Sequence, residues 1–196
     1  MQSELSYALG LLLANSLRNQ VHAEDVVKED FEKAFWAMLK GGEVEMDLSA
    51  AGQLADAYIR QAQQQKAVRA IAEEAKFLEE NGKRLGVISR PSGLQYEILT
   101  EGTGRVPRAT NKVMAHYEGK LLSGKVFDSS YRRGEPATFP VNGLIQGWQE
   151  ALQLMPAGSK WRLYIPSRLG YGTKGAGADI PANATLIFEL ELLAVL

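Results

Sequence analysis

No proline occurs before Pro91, and a single glycine lies between Ala51 and Asn81, whereas both residues are frequent from Pro91 onward. Proline lacks the backbone donor a helix needs, and each interior glycine weakens a helix by about 1 kcal/mol. Breakers concentrated in one half therefore leave the other half free to be helical. The chain divides into a helical first half and a strand-and-turn second half, with the boundary in Asn81-Gly82-Lys83-Arg84-Leu85-Gly86-Val87-Ile88-Ser89-Arg90-Pro91. The expected organisation is an all-α region over 1–45, a long spacer helix and linker over 46–88, and a sheet-bearing domain over 89–196, an α+β chain as a whole. Charge follows the same division: residues 1–88 carry 10 basic and 14 acidic groups, and residues 89–196 carry 12 and 9. The total of -1 argues against a nucleic-acid or membrane-surface binder driven by bulk charge.

The first helix is expected from Ser3 to about Arg18, with Leu5, Leu9, Leu12, Leu13 and Leu17 on one face and Tyr7, Ala8 and Leu11 widening it. A short helix that is apolar over most of its girth must be covered on more than one side. A second helix, near Glu24 to Lys40, has Val27, Phe31, Ala34, Phe35, Met38 and Leu39 at helical spacing and stops at Gly41-Gly42. Two short helices cannot enclose this surface alone, so self-association as a homodimer is expected over packing on the rest of the chain. The third helix is expected from Asp47 or Ser49 as N-cap to about Glu80, roughly 48 Å long at about 1.5 Å per residue. Its middle, Gln61-Ala62-Gln63-Gln64-Gln65-Lys66, is polar almost all round, which fits a solvated spacer better than a coiled coil. Glu79 with Lys83 and Glu80 with Arg84 have the favourable i,i+4 order.

Beyond Pro91 the period changes to two. Leu94–Ile98, Val113–Tyr117, Trp161–Ile165 and Leu186–Leu192 read as half-buried strands, and one short helix is expected around Gln146 to Leu154. In the last strand Glu189 and Glu191 point to water while Leu186, Phe188, Leu190 and Leu192 point inward. Several strands with one helix imply an antiparallel sheet covered on one face.

The usual chemical parts are missing. With no cysteine there is no disulfide, thiolate metal site or cysteine nucleophile, and His22 and His116 are too few and too far apart for a histidine metal cluster. The longest apolar stretch, Ala8 to Ala14, is far short of the ~20 residues that span a bilayer. Met1-Gln2-Ser3-Glu4 gives a negative n-region, so the expected location is cytoplasmic. Gly170-Tyr171-Gly172-Thr173-Lys174-Gly175 has the letters of a dinucleotide fingerprint, but a loop follows where a helix is needed. Gly119-Lys120-Leu121-Leu122-Ser123-Gly124-Lys125-Val126 is a phosphate-loop near miss that a hairpin explains. Asn183-Ala184-Thr185 is a glycosylation sequon without meaning in an unsecreted chain. His116, in mid-strand, reads as a satisfied structural histidine.

What remains is a scattered apolar set: Tyr117, Phe127, Phe139, Ile145, Trp148, Tyr171, Ile180 and Phe188. Most such lists are core. Two features point to a pocket instead: Trp148 stands at a helix start behind Gly143-Leu144-Ile145-Gln146-Gly147, and Tyr171 sits in a glycine-rich loop with little scaffold around it.

The run Ala115-His116-Tyr117-Glu118-Gly119, then Gly124-Lys125-Val126-Phe127-Asp128-Ser129-Ser130, strongly resembles the FKBP-type peptidyl-prolyl isomerases. Gly143 to Trp148, Tyr171-Gly172, Ile180-Pro181 and Ala184 to Phe188 extend the resemblance in order, from about Gly93 to Leu196. Leu5-Ser6-Tyr7-Ala8-Leu9-Gly10 and the long helix look like the macrophage-infectivity-potentiator branch of bacterial FKBPs. The resemblance implies an antiparallel sheet wrapped around a short helix, no cofactor or metal, and a pocket catalysing cis-trans exchange at X-Pro bonds. Trp148 would be its floor, and Tyr117, Phe127 and Phe188 its walls, with Phe139, Leu144 and Ile180 as further substrate contacts. The Ile145 N–H and Tyr171 hydroxyl would bind peptide carbonyls, and Asp128 would be held by Tyr117 and Arg133. Ala137 and Ala176 stand where the best-known pattern has a wall phenylalanine and a loop histidine. The partners implied are proline-containing unfolded or partly folded proteins, held in a V-shaped dimer with chaperone-like client binding, and rapamycin- or tacrolimus-type inhibitors. A non-catalytic proline-peptide binding or scaffold module is the alternative.

Overall fold

The computed structural model describes residues 2–18, 20–21 and 23–196, so His22 lies outside the described residues. The chain forms two compact units, Met1–Lys66 and Ala67–Leu196.

In the first unit, α1 spans Gln2–Leu17, α2 spans Lys28–Lys40, and α3 begins at Leu48. α2 starts later than its apolar spacing suggests. Ala23–Asp25 is an isolated 3₁₀ turn, and Val27 is extended at φ -74°, ψ 113°, because the β-branched pair Val26-Val27 resists joining the helix. Gly41 ends α2 as expected, with φ 69° and its N–H donating back to the last turn. Asp47 caps α3, its Oδ1 accepting from Ala50 N–H at 2.8 Å. None of the described residues 2–66 is buried. Leu5 (60%), Leu12 (68%) and Trp36 (51%) are representative of the exposed apolar side chains.

α3 continues to Gly82, so its latter part belongs to the second unit. The compact units therefore do not divide at residue 89. The last turns of α3 are fastened to the sheet rather than solvated. Phe77 packs on Tyr164 with ring centroids 5.8 Å apart. Asn81, only 3% exposed, donates to Gln95 Oε1 at 2.8 Å, and Gln95 returns a bond to Leu78 O at 2.8 Å. The Lys83–Glu79 pair forms at 2.6 Å, but Arg84 does not take Glu80. It reaches across to Glu97 at 2.6 Å and the Tyr164 hydroxyl at 3.0 Å, where a nearly buried carboxylate needs the charge more.

The sheet comprises β1 (Val87–Ser89), β2 (Gln95–Thr100), β3 (Lys112–Leu121), β4 (Val126–Ser129), β5 (Ala137–Pro140), β6 (Lys160–Ile165) and β7 (Leu186–Val195). All pairings are antiparallel, in the order β1-β2-β6-β7-β3-β4, with β5 also on β3. Alternation decides which face is covered: Val113, Ala115, Tyr117 and Gly119 of β3, and Leu186, Phe188, Leu190 and Leu192 of β7, are all buried. The helix α5 (Gln146–Leu152) lies against this set through Gly147, Trp148, Ala151 and Leu152. Glu189 and Glu191, on the opposite face, are half-buried rather than fully solvated, paired with Arg162 (2.7 Å) and the Tyr131 hydroxyl (2.8 Å).

A fragment of residues 67–196 should therefore fold, whereas one starting at 89 leaves Gln95 without its partners in α3 and Glu97 without Arg84. Two such losses cost about 3 kcal/mol or more. Urea unfolding of the two fragments should show this gap; equal midpoints would mean that the helix end adds nothing.

Candidate active site

β4 and β5 both pair with β3, at Glu118–Lys120 and Lys112–Ala115 respectively, so they form one edge strand interrupted by an excursion. The interruption is the four-residue helix α4 (Ser130–Arg133), capped by Ser129, whose Oγ accepts from Arg132 N–H at 3.3 Å. The fully buried Ser130 hydroxyl accepts from Tyr117 N–H at 2.7 Å, and Gly134 at φ 79° turns the chain back into β5. The excursion swings Arg133 over Asp128. Its guanidinium pairs with the Asp128 carboxylate, donates to the Tyr117 hydroxyl at 2.8 Å, and lies 5.6 Å from the Tyr117 ring centroid. Tyr117 itself donates to Asp128 Oδ2 at 2.5 Å.

Burial pushes the Asp128 carboxyl up, but the hydrogen bonds from Tyr117 and Arg133 outweigh it and hold it below the usual carboxylate value. Burial, followed by the neighbouring carboxylate, pushes the Tyr117 phenol above its ordinary value. The pair is thus an anion and a neutral phenol throughout the neutral range, and neither group is poised to exchange a proton there.

Beside this cluster lies a cleft of about 280 Å³. Trp148, third residue of α5 and 3% exposed, is its floor and meets three rings edge-on: Phe188 at 5.2 Å, Tyr117 at 5.3 Å and Phe139 at 5.9 Å. Phe127 closes one wall, edge-on to Phe188 at 5.5 Å. Leu144, Ile145 and Tyr171 complete the lining with Asp128. Ile145, extended at φ -60°, ψ 150°, stands at the head of the helix, its carbonyl accepting from Trp148 N–H (3.0 Å) and Gln149 N–H (3.1 Å). Tyr171 stands half-open at the mouth, 39% exposed.

Nine expected site residues thus converge: Tyr117, Phe127, Asp128, Phe139, Leu144, Ile145, Trp148, Tyr171 and Phe188. Two do not line the cleft. Ile180, 8% exposed, turns back to pair with Ala176 and packs into the core, so it stiffens the loop rather than forming a wall. Arg133 acts from behind, on Asp128 and Tyr117. Gly143 lines the cleft, and Gly119 shapes it; neither stood out in the sequence. A Cβ on Gly119 would sit 2.6 Å from ring carbons of both Phe127 and Phe188, so only glycine lets the two walls meet. His116 faces away, its Nδ1 3.0 Å from Ser130 Oγ and its ring stacked on Tyr131 at 4.7 Å. The glycine-rich stretch at 170–175 runs into further turns and the Ala176–Ile180 bridge, not a helix. Asn183, in the sequon, is 6% exposed. Among the described residues no cluster of three or more His, Cys, Asp or Glu side chains is placed to hold a metal.

Gly119→Ala should lower kcat/KM for a substrate of this cleft at least tenfold. It should also cost about 1–3 kcal/mol of stability from overpacking. A variant with unchanged activity would mean that the wall geometry is not what the cleft uses.

Two family models match the chain: one described as FKBP-type peptidyl-prolyl cis-trans isomerase over residues 104–193, and one described as the domain amino terminal to it over residues 2–98. The chain is 45% identical to the FKBP-type 22 kDa peptidyl-prolyl cis-trans isomerase of Escherichia coli, covering 100% of this chain and 96% of that protein. It is 36% identical to the peptidyl-prolyl cis-trans isomerase Mip of Coxiella burnetii, over 99% of this chain and 86% of that one. Among solved structures, FkpA from Escherichia coli superposes with a TM-score of 0.84 at 31% identity, covering 99% of this chain and 94% of that chain.

Proposed function

The chain belongs to the FKBP-type peptidyl-prolyl cis-trans isomerases, and from that membership we propose how its residues perform the reaction and how its two units divide the work. Rotation about an X-Pro bond crosses a barrier of about 18–20 kcal/mol because the amide loses conjugation. The twisted amide is less polar at its carbonyl and nitrogen than the planar one. A dry aromatic cleft disfavours the planar ground state more than the twisted state, and its shape selects the twist. Differential binding alone lowers the barrier, and about 7 kcal/mol corresponds to roughly 10⁵ in rate.

In this reading the proline ring rests on Trp148 between Tyr117, Phe127 and Phe188. The Ile145 N–H and the Tyr171 hydroxyl donate to peptide carbonyls. The observation that carries the reading is the Tyr117–Asp128–Arg133 cluster: its charge is fully partnered, so it orders the cleft and passes no proton to the neighbouring amide. Asp128→Leu should cut turnover at least tenfold in a folded protein, measured by exchange of a short X-Pro peptide, and unchanged turnover would remove Asp128 from the site. The rate should be flat from about pH 6 to 8, since no group need titrate there. Because the folded carboxyl of Asp128 titrates below its ordinary value, its contribution to stability is present above about pH 4 and is lost as pH falls further through the folded value.

The first unit suits a second copy of the chain. None of its described residues is buried, and an apolar cleft of about 450 Å³ opens between α2 and residues 43–51. Two copies joined there would give a protein client two isomerase sites at high effective concentration, a chaperone-like arrangement with unchanged chemistry at each site. Light scattering should give a dimer for the full chain and a monomer for residues 67–196. The fragment should keep near-full activity on a short peptide and be much poorer at proline-limited refolding of a protein. A dimeric fragment would put the interface in the wrong unit. Macrocyclic inhibitors of the rapamycin and tacrolimus type should occupy the cleft and quench Trp148, more weakly than usual because Ala137 leaves one wall short.

A further inference from the structure

The hairpin between β6 and β7 closes at the pair Ile165–Leu186 and then opens into a long loop, residues 166–185. This loop carries Tyr171 to the mouth of the cleft, yet it is built mostly of turns: three residues, Gly172, Gly175 and Gly177, have φ near +60°, as does Asn183. Its two ends meet one side chain. Glu74, half-buried in α3, accepts from the Ser167 backbone N–H, from the Ser167 hydroxyl at 3.2 Å, and from the Thr185 hydroxyl at 2.9 Å. Ser167 and Thr185 are 7% and 3% exposed, so these donors have little access to water in exchange.

We propose that Glu74 is a positioning residue: by clamping both ends of loop 166–185, it fixes where Tyr171 stands over the cleft and so sets the affinity for X-Pro peptides. This rests on the reading of Tyr171 as a peptide contact. Among the described residues the loop has two further side-chain ties to the rest of the chain: Arg168, beside Ser167, donates to Ser92 O in an exposed contact, and toward the tip Lys125 meets Asp179 at 2.7 Å, where both partners are more than half exposed. Such a pair is screened by salt and weak, so it cannot hold the loop by itself. The neck is different. Three polar groups converge on one carboxyl group, whose two oxygens can accept from all of them. A glutamine of equal size keeps only one acceptor oxygen and must offer its NH₂ to a hydroxyl that then has to accept.

The test uses the full chain, with Glu74→Ala, Glu74→Gln, Tyr171→Phe and the double variant Glu74→Ala/Tyr171→Phe. With a short X-Pro peptide, Glu74→Ala should raise KM about tenfold with kcat within about twofold, and Glu74→Gln should fall between it and wild type. Amide hydrogen exchange should speed up at least tenfold within 166–185 while β3 and β7 keep their protection. The double variant should be little worse than the poorer single one, because both act through Tyr171. Unchanged KM in Glu74→Ala, loosening spread evenly through the sheet, or full additivity in the double variant would each overturn the proposal. Tyr171→Phe alone separates the two readings. If its KM matches wild type, the peptide-contact reading of Tyr171 fails, while the clamp itself is still judged by loop exchange in Glu74→Ala.

Discussion

The register between β3 and β7 is the constraint on which the site depends. Tyr117 pairs with Leu190 and Gly119 with Phe188, so the phenol, the glycine gap and the wall ring all emerge on one face of the sheet. A slip of one residue would turn Tyr117 and Phe188 to the opposite face and bring Glu189 and His116 into the core. The slip is heavily penalised, because four buried aliphatic or aromatic residues of β7 alternate with two charged ones. Burying an aliphatic side chain of this kind is worth roughly 1.5–3 kcal/mol. The same alternation that makes a core thus sets the cleft, and no separate device is needed to aim the walls.

The second requirement is electrostatic. A carboxylate beside an apolar cleft is costly unless its oxygens are bonded. Here both oxygens of Asp128 are occupied, one by Tyr117 and one by Arg133. The four-residue helix between β4 and β5 exists in a position to supply the second bond. Its insertion breaks an edge strand and leaves Tyr117 N–H short of a ladder partner, a debt met by the Ser130 hydroxyl at 2.7 Å. Strand interruption, serine and arginine form one solution to one problem, that of placing a charge near a dry site without leaving it free to act on the substrate.

The positions that were legible in the sequence are those set by period and by breakers. The strands expected at 94–98, 113–117, 161–165 and 186–192 and the helix from Gln146 all begin within one residue of where alternation and glycine put them, although β3 runs four residues and β7 three residues further than expected. β1, β4 and β5 are three or four residues long, too short for a period to register, and they depend on β2 and β3 for their conformation. At the site, large side chains in unusual settings, Trp148 at a helix start and Tyr171 among glycines, drew notice, whereas Gly119 acts through an atom it lacks. Ile180, an apolar residue in a loop, packs with the core while its backbone pairs with Ala176, an arrangement that no period in the sequence signals. The latter part of α3 was misjudged for a related reason. Glu74 and Asn81 are polar, and polarity in a helix suggests water, but each is here a partner for a polar group of the sheet unit, as is Arg84 just past the helix.

That last point changes what the long helix is. A solvated spacer could be replaced by any helix of the same length, since its side chains would meet only water. From Ala67 on, however, the helix and the turn after it supply partners to buried polar groups of the sheet: Gln95 and Glu97 are below 10% exposed, Gln95 meets Leu78 O and Asn81, and Arg84, just past the helix, joins Arg162 and Tyr164 on Glu97. Before Lys66 the balance is reversed, with apolar side chains exposed and no core to receive them. One continuous helix therefore carries two kinds of incompleteness at its two ends. Polar groups of the sheet are completed within the chain, where geometry can be exact to a hydrogen-bond length. Exposed apolar surface is the kind of incompleteness that a separate molecule can meet, because hydrophobic burial is non-directional. The cleft lies wholly in the unit Ala67–Leu196, where the packing that makes the core also sets its floor and walls.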